Sequence, residues 1–381
     1  MKRLAICFAL LFLLSPLRVQ AVELELGGKS ACLMDVATGT VLYEKNPHER
    51  LAPASVTKVM TMLLIMEAID SGKIGWDDTV TASEAAAAKG GSQIFLKAGE
   101  TMTVSDMLKS IAVSSANDCA CAMAEHLAGS ESAFVDMMNA RAKELGMNDT
   151  NFVNCTGLDD DENAKDHLTS AYDIALMSRE LLKNHPDIKK FTTIWMDTVR
   201  DGAFGLSNTN KMVRFYTGCT GLKTGFTSGA GYCLSASAQR EGLELIAVVM
   251  GCDTSANRFA ACKSMLDYGF ANFALVQPEL PEDAKVPVKL GISQFANAVP
   301  GQESKLLIDK SQRGSVTTEV TLEPSVTAPV SRGQRLGSLR IKAGEQVLAE
   351  VPMVAQEAVP RLSYGEIVVK VLKQIAMAKD S

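Results

Sequence analysis

A serine placed three residues before a lysine, Ser55-Val56-Thr57-Lys58, is the first arrangement in this 381-residue sequence that could do covalent chemistry. A serine hydroxyl is a poor nucleophile until a base takes its proton. On a helix, positions i and i+3 share a face, so Lys58 can reach the Ser55 hydroxyl. The four histidines, His48, His126, His167 and His185, lie in no nucleophile motif, which leaves the lysine as base. That role needs a neutral Lys58, and both burial and a second ammonium lower a lysine pKa. Lys223, in Lys223-Thr224-Gly225, supplies the second ammonium, and Ser115-Ala116-Asn117 stands between the two motifs. Ser115 can pass a proton to a leaving amine, and the Asn117 amide can hold a peptide group. Thr224 and Thr227 offer hydroxyls for a terminal carboxylate. Gly225, with no Cβ, lets a substrate backbone lie against its strand. A helix start at Ser55 adds unpaired N–H groups, among them one half of an oxyanion hole. The chemistry such a set performs is acyl transfer through an ester on Ser55.

The order of the motifs matters more than any one of them. S-x-x-K arises roughly once or twice by chance in a chain of this length, and Ser55 heads its only full occurrence. The tripeptide Ser-Ala-Asn recurs at Ser255-Ala256-Asn257, but after Lys223-Thr224-Gly225 rather than before it. The ordered triple, with steps of 60 and then 108 residues, is the specific signal.

Several elements must hold these residues. Residues 29–45 alternate in polarity around Ala37-Thr38-Gly39-Thr40 and predict a β-hairpin. Pro53 precedes a helical run from Ser55 to Asp70 that is apolar on almost every face, the pattern of a helix buried inside a domain. Further helices are predicted over 103–112, 116–128, 131–145 with Gly146 as C-cap, 169–183 and 258–273. Strands are predicted from Gly218 to Thr227, Gly231 to Ala238 and Leu243 to Met250, with Lys223-Thr224-Gly225 on an edge strand. An antiparallel sheet built from both ends of the segment, with helices, makes this an α+β domain.

From about 277 to 360 the pattern shifts to short strands separated by Pro and Gly, at 286–290, 304–309, 316–322 and 346–354, a small all-β domain. Residues 361–381 form a further helix with an apolar stripe of Tyr364, Ile367, Val368, Val371, Leu372 and Ile375. At the other end, Lys2 and Arg3 precede the apolar run Leu4 to Leu14 and then Val19-Gln20-Ala21, the pattern of a cleaved secretory leader. The organisation read from sequence is therefore 1–21 leader, 22–275 α+β domain, 276–360 β-rich domain and 361–381 amphipathic helix. Loss of the leader removes three basic residues and takes the net charge from −6 to −9. An acidic chain without a basic patch excludes nucleic acid as a partner. Eight cysteines lie beyond the leader; Cys119-Ala120-Cys121 is no metal motif, and the chemistry calls for no cofactor or metal. An oxidising compartment permits disulfides, and small buried thiols are the other reading.

The ordered triple resembles the signature of the low-molecular-mass penicillin-binding proteins, in particular the D-alanyl-D-alanine carboxypeptidase family. The likeness extends to Leu51–Thr61, Gly91–Lys97, Ser115–Ala120, His167–Asp173, Gly221–Gly225, Ala230–Tyr232 and Leu245–Gly251. It runs from about residue 28 to the C-terminus and is strongest up to 273. The resemblance implies a penicillin-recognising α+β fold followed by a β-rich domain. It implies acylation at Ser55, release of the terminal D-alanine from peptidoglycan stem peptides, deacylation by water and inhibition by β-lactams. It places the second oxyanion donor at the N–H of Phe226, where members often carry His. Some relatives have Asp where Thr220 stands. Arg258 is read either as a ligand of the substrate carboxylate or as one half of a helix-start salt bridge. The resemblance also implies a product outside the cytoplasm, in the periplasm or on the outer face of the cytoplasmic membrane. The C-terminal helix then lies on the membrane surface, with packing on the β domain as the alternative.

Rival readings are a class A β-lactamase, a wall-binding relative without activity, and an endopeptidase acting on crosslinks. The loop Asp159-Asp160-Asp161-Glu162-Asn163 lacks the E-x-x-L-N pattern of class A enzymes, and intact motifs argue against an inactive relative. His167 is read as a buried hydrogen-bonding residue, and Trp76 and Trp195 as packing residues.

Overall fold

The computed structural model describes residues 24–369, apart from 160, 161, 280, 282 and 303. The leader at 1–21 and the helix beyond residue 369 lie outside the described residues. The chain divides into two compact units at Asn272/Phe273.

The first unit is built on a five-stranded antiparallel sheet. Its strands are β1 (Ser30–Asp35), β2 (Val41–Lys45), β3 (Cys219–Thr227), β4 (Gly231–Arg240) and β5 (Leu243–Cys252), in the order β2-β1-β5-β4-β3. The two ends of the segment meet where β1 pairs with β5, Ala31 opposite Val249. Lys223-Thr224-Gly225 therefore lies on the edge strand, as expected. β5 is buried at all ten positions, which an antiparallel strand shows only when both faces are covered.

Alternation along the strands assigns the two faces. Cys32, Met34, Ile246, Val248 and Met250 join the core of the helical layer. Helix α1 (Lys58–Asp70) runs through that layer, with every residue from Lys58 to Met66 buried. Around it stand α2 (Val104–Ser114), α3 (Asn117–Ala128), α4 (Glu131–Glu144) and α5 (Ala171–Asn184). On the other face lies α6 (Ser255–Asn272), whose Gly269 has no room for a Cβ against Leu245. Thr103, Ser130 and Ser170 each accept a backbone N–H in the first turn of α2, α4 and α5, the side-chain caps that start helices.

One expected helix begins differently. The chain from Ala54 to Thr57 is a 3-10 turn, and the α-helix proper opens at Lys58. Ala54 has φ +47°, a left-handed conformation that costs a non-glycine residue about 1–2 kcal/mol. Two short antiparallel strand pairs, 79–81 with 101–103 and 196–199 with 204–207, were not foreseen.

The second unit is all β. A six-stranded sheet runs in the order 316–322, 335–343, 346–355, 295–300, 285–289, 326–327, and a separate pair joins 273–276 to 306–309. Val286, Leu336, Leu339, Ile341, Val351 and Met353 form its core. The strands at 295–300, 326–327 and 335–343 add to those read from sequence. Residues 364–369 are helical, with Tyr364, Val368 and Val369 exposed. Among the described residues no helix is long and apolar enough to cross a membrane.

Candidate active site

The three motifs converge where the turn 54–57, the α2–α3 junction and β3 meet. Lys58 Nζ lies 3.0 Å from Ser55 Oγ and also donates to the carbonyl of Thr156 at 2.8 Å. Lys58 is fully buried, and burial lowers its pKa to about 7, against opposing effects of Cys155 and Asp118. The second ammonium of the site is itself depressed. Burial, then Lys58 and then Arg258, hold Lys223 well below the usual lysine range. Lys223 Nζ donates to the carbonyl of Thr224 at 2.9 Å.

Ser115 occupies the left-handed C-cap of α2, with φ +64°. Its Oγ is buried without a hydrogen-bond partner, and so is Asn117 Oδ1. The Asn117 side-chain nitrogen is already committed to the carbonyl of Gly90 at 2.7 Å. A buried, unpaired polar atom is costly unless something arrives to pair with it. The two atoms mark the α2–α3 junction as a binding wall.

Gly225 is required for a reason other than the one read from sequence. A Cβ there would lie 2.6 Å from the carbonyl oxygen of Pro53 and 3.0 Å from the nitrogens of Ser55 and Val56. The missing side chain lets the serine turn pack directly on β3. Phe226, next along the strand, is 54% exposed and stacks on Tyr232. Thr227 Oγ1 accepts the N–H of Ala230 and so caps the β3–β4 turn. Arg258 reaches under the strand and donates to the carbonyls of Gly225 (2.9 Å) and Cys233 (3.4 Å), while its buried Nε has no partner. It makes no ion pair among the described residues. Lys58, Lys223 and Arg258 thus form a buried basic cluster, in which an arriving anion would favour the protonated form of Lys223. Thr220, where some relatives have Asp, donates to Glu244 Oε1 (3.0 Å) and lies within hydrogen-bonding distance of Ser237 Oγ (2.7 Å), and Glu244 pairs with Lys189. The carboxylate of this network comes from β5 rather than from β3.

Sequence reasoning missed the loop behind the serine. Asn154 Oδ1 accepts the N–H groups of Thr156 and Gly157, an Asx turn that aims the Thr156 carbonyl at Lys58. Gly157 has φ +81° and packs on the Ala54 carbonyl, with no space for a Cβ. The run Asn154-Cys155-Thr156-Gly157 carries that turn signal. Asp118, directly after the S-x-N motif, accepts the N–H groups of Ile94, Leu96 and Cys119 and fixes the 92–96 segment.

His167 joins the same assembly. Its Nδ1 accepts the N–H of Val153 at 3.0 Å, so its Nε2 carries the proton and donates to Thr57 Oγ1 at 2.8 Å. Thr57 in turn donates to the carbonyl of Ala54. A protonated ring cannot accept from Val153, and burial, then Lys58, lower the His167 pKa to about 4. The unfolded chain therefore holds the extra proton between about pH 4 and 6.5, and folding stability falls as pH drops through that window. The expected loss is about 3 kcal/mol. Chemical denaturation from pH 7 to 4 measures it, and a His167→Gln variant is expected to show a flatter profile.

The eight described cysteines are unpaired, seven of them buried. Glu67, Glu180 and His185 lie near enough to hold a metal, but Arg141 already spans the two carboxylates.

Comparison with known proteins decides the family. The pattern described as D-alanyl-D-alanine carboxypeptidase matches residues 18–254, and that of the penicillin-binding protein 5 C-terminal domain matches 278–361. The chain belongs to the D-alanyl-D-alanine carboxypeptidase family. It is 46% identical over 349 residues to D-alanyl-D-alanine carboxypeptidase DacF of Bacillus subtilis, covering 90% of this chain and 88% of that one. DacC of Escherichia coli is 33% identical, with 94% and 92% covered. Penicillin binding protein 5 of Haemophilus influenzae superposes with a TM-score of 0.75 at 30% identity, covering 89% of this chain and 99% of that one. Penicillin-binding protein D2 of Listeria monocytogenes, solved in an ampicillin-bound form, gives 0.57 at 32% identity, with 65% and 100% covered. As a member of the family the protein is a carboxypeptidase of the penicillin-binding class, with the α+β fold and all-β second unit that the sequence resemblance implied.

Proposed function

We propose that the protein removes the terminal D-alanine from peptidoglycan stem peptides through an acyl-enzyme on Ser55, and that β-lactams inhibit it by acylating the same oxygen. The observation that carries this reading is the 3.0 Å contact between Ser55 Oγ and a buried Lys58 whose pKa is near neutrality. Neutral Lys58 takes the hydroxyl proton, and Oγ attacks the carbonyl between the two D-alanines. The N–H groups of Ser55 and Phe226 receive the developing oxyanion. As the C–N bond breaks, Ser115 passes a proton to the leaving amine, and water later cleaves the ester. The Asn117 oxygen accepts from the substrate's peptide N–H, and Gly225 holds the strand against the serine turn. Lys223, Thr224, Thr227 and Arg258 make the ground for the terminal carboxylate, which is drawn by the Arg258 charge and itself favours protonation of Lys223.

The test is intact-mass spectrometry after a labelled penicillin, with D-alanine release from a D-Ala-D-Ala-ended peptide. A slowly reversible adduct together with D-alanine release is expected. Rapid penicillin turnover without release would make the protein a β-lactamase, and neither result would leave a wall-binding relative. Cleavage confined to crosslinked peptides would make it an endopeptidase.

The apolar run and small-residue site at 1–21 support export, and the stripe from Tyr364 to Ile375 supports peripheral attachment to the outer face of the cytoplasmic membrane. Deleting 361–381 is expected to move the enzyme from the membrane fraction to the soluble one without loss of activity. A truncated enzyme that still sediments with membranes would overturn the attachment.

A further inference from the structure

One loop of the all-β unit faces solvent with apolar side chains. Strands 285–289 and 295–300 pair antiparallel, with Pro287 opposite Phe295. The tip that joins them reads Lys289-Leu290-Gly291-Ile292-Ser293-Gln294-Phe295. Turn residues are ordinarily Gly, Pro, Asn, Asp and Ser. Here Leu290 is 40% exposed, Ile292 57% and Phe295 49%. The main chain fixes this display. Leu290 has φ +60°, a left-handed conformation that is unfavourable for a residue with a Cβ. The N–H of Leu362 donates to the Leu290 carbonyl at 2.8 Å, and the N–H of Ile292 donates to the Pro360 carbonyl at 3.0 Å. A Cβ on Gly291 would lie 2.7 Å from Val288 and 2.8 Å from the Ser293 carbonyl oxygen, so the loop is closely packed on its inner side.

The same two hydrogen bonds tie the tip to the start of the C-terminal helix. Residues 364–369 are helical, with Tyr364 and Val368 exposed, and the sequence continues the stripe with Val371, Leu372 and Ile375. Charge points the same way. Lys289 and Arg361 are exposed at this end, and 289–295 holds no acidic residue in a chain of net charge −6. Glu366 turns its carboxylate onto the N–H and hydroxyl of Ser363. Exposed apolar side chains grouped in this way mark a contact surface. Framed by lysine and arginine, and continuous with an amphipathic helix, they fit a bilayer with anionic headgroups. The acyl chains receive the apolar groups, and the headgroups receive the charges.

We propose that the 289–295 tip is a second membrane contact, entering an anionic bilayer surface through Leu290, Ile292 and Phe295 beside the C-terminal segment. The proposal rests on the peripheral attachment read above and extends it. A single helix leaves the all-β unit free to swing about its root, whereas two contacts fix its orientation on the bilayer.

The experiment uses the leaderless full chain with vesicles of equal parts phosphatidylglycerol and phosphatidylcholine, and with vesicles of phosphatidylcholine alone. Ile292→Ser combined with Phe295→Ser should lower partitioning onto the anionic vesicles about tenfold or more, from the apolar area no longer buried. Lys289→Gln should lower it about fivefold on anionic vesicles and leave neutral ones unaffected. In a Phe295→Trp variant, lipids brominated in the acyl chain should quench the added indole, an effect absent from the unaltered chain, whose Trp76 and Trp195 belong to the first unit. Penicillin acylation at an unaltered rate and a melting curve show that each variant is folded. Unchanged partitioning of the double variant, with the unaltered chain bound, would overturn the tip contact and leave attachment by the C-terminal segment standing. An indole at position 295 that is shielded before lipid is added and is never quenched would place the chain's own C-terminal segment over the tip, and would overturn it too. So would a dimer in lipid-free solution that the double variant abolishes. An unaltered chain that binds neither vesicle would instead sink the attachment reading itself, and the tip contact with it.

Discussion

Replacing Ser55 by alanine is expected to abolish the penicillin adduct and to lower kcat for D-alanine release by on the order of 10^4 or more, with KM little altered. The oxygen is the atom that forms the ester, and no neighbour can replace it. The other hydroxyls of the site, on Ser115 and Thr224, stand on different elements and lack a lysine within bonding distance of the kind that Ser55 has in Lys58. Binding groups survive the change, so the peptide should still compete with a fluorescent ligand of the cleft. The turn 54–57 is held by Thr57, His167 and the Gly225 contact rather than by the Ser55 hydroxyl, so the melting temperature should move little. An adduct of full yield in Ser55→Ala would place the nucleophile elsewhere.

The second large effect belongs to Lys58. If its neutral form is the base, the acylation rate should climb about tenfold per pH unit below pH 7 and level off above, following the pKa of about 7. Lys58→Met should lose about 10^3 in acylation and lose the pH dependence with it. The same substitution should stabilise the fold. The unfolded chain keeps this proton up to pH 10.5, while the folded chain gives it up near pH 7. The unfolded state therefore binds the extra proton across that window, and stability rises with pH from 7 to 10.5. Below pH 7 the whole burial cost is present. Methionine removes that cost, and with the lost hydrogen bonds set against it the gain at pH 7 is about 3 kcal/mol. A variant that is more stable and nearly inactive is the expected signature of a charge buried for function. A flat acylation profile in the unaltered enzyme would exclude Lys58 as the base.

The catalytic centre was readable because its chemistry sits in side chains at fixed offsets. Ser55 and Lys58 are three residues apart on one turn, and Lys223, Thr224 and Gly225 are consecutive. The α+β layering followed from two periodicities, the all-round apolar run of α1 and the alternating strands at both ends of the segment. What stayed hidden is backbone and partner geometry. The Thr156 carbonyl that receives Lys58 belongs to a residue type with no chemical signature of its own. His167 acts through a neighbour 110 residues away, a separation that no local pattern encodes. Arg258 could be read two ways because a sequence does not say whether a carboxylate faces it; the structure puts backbone carbonyls there. In the second unit, 335–343 escaped notice because Arg, Gly, Ser and Lys interrupt its apolar positions, yet Leu336, Leu339 and Ile341 are buried.

The contact between Gly225 and residues 53–56 bears on how such an enzyme can escape a drug. The strand that cradles the ligand and the turn that carries the reactive oxygen touch backbone to backbone, with no side chain between them to be exchanged. Drawing the strand back to shut out a bulky β-lactam would carry the serine with it and silence the natural reaction as well. Selection for resistance in this protein is thereby channelled toward the exposed rim, at positions such as Phe226, or toward faster release of the ester, and away from the floor of the cleft.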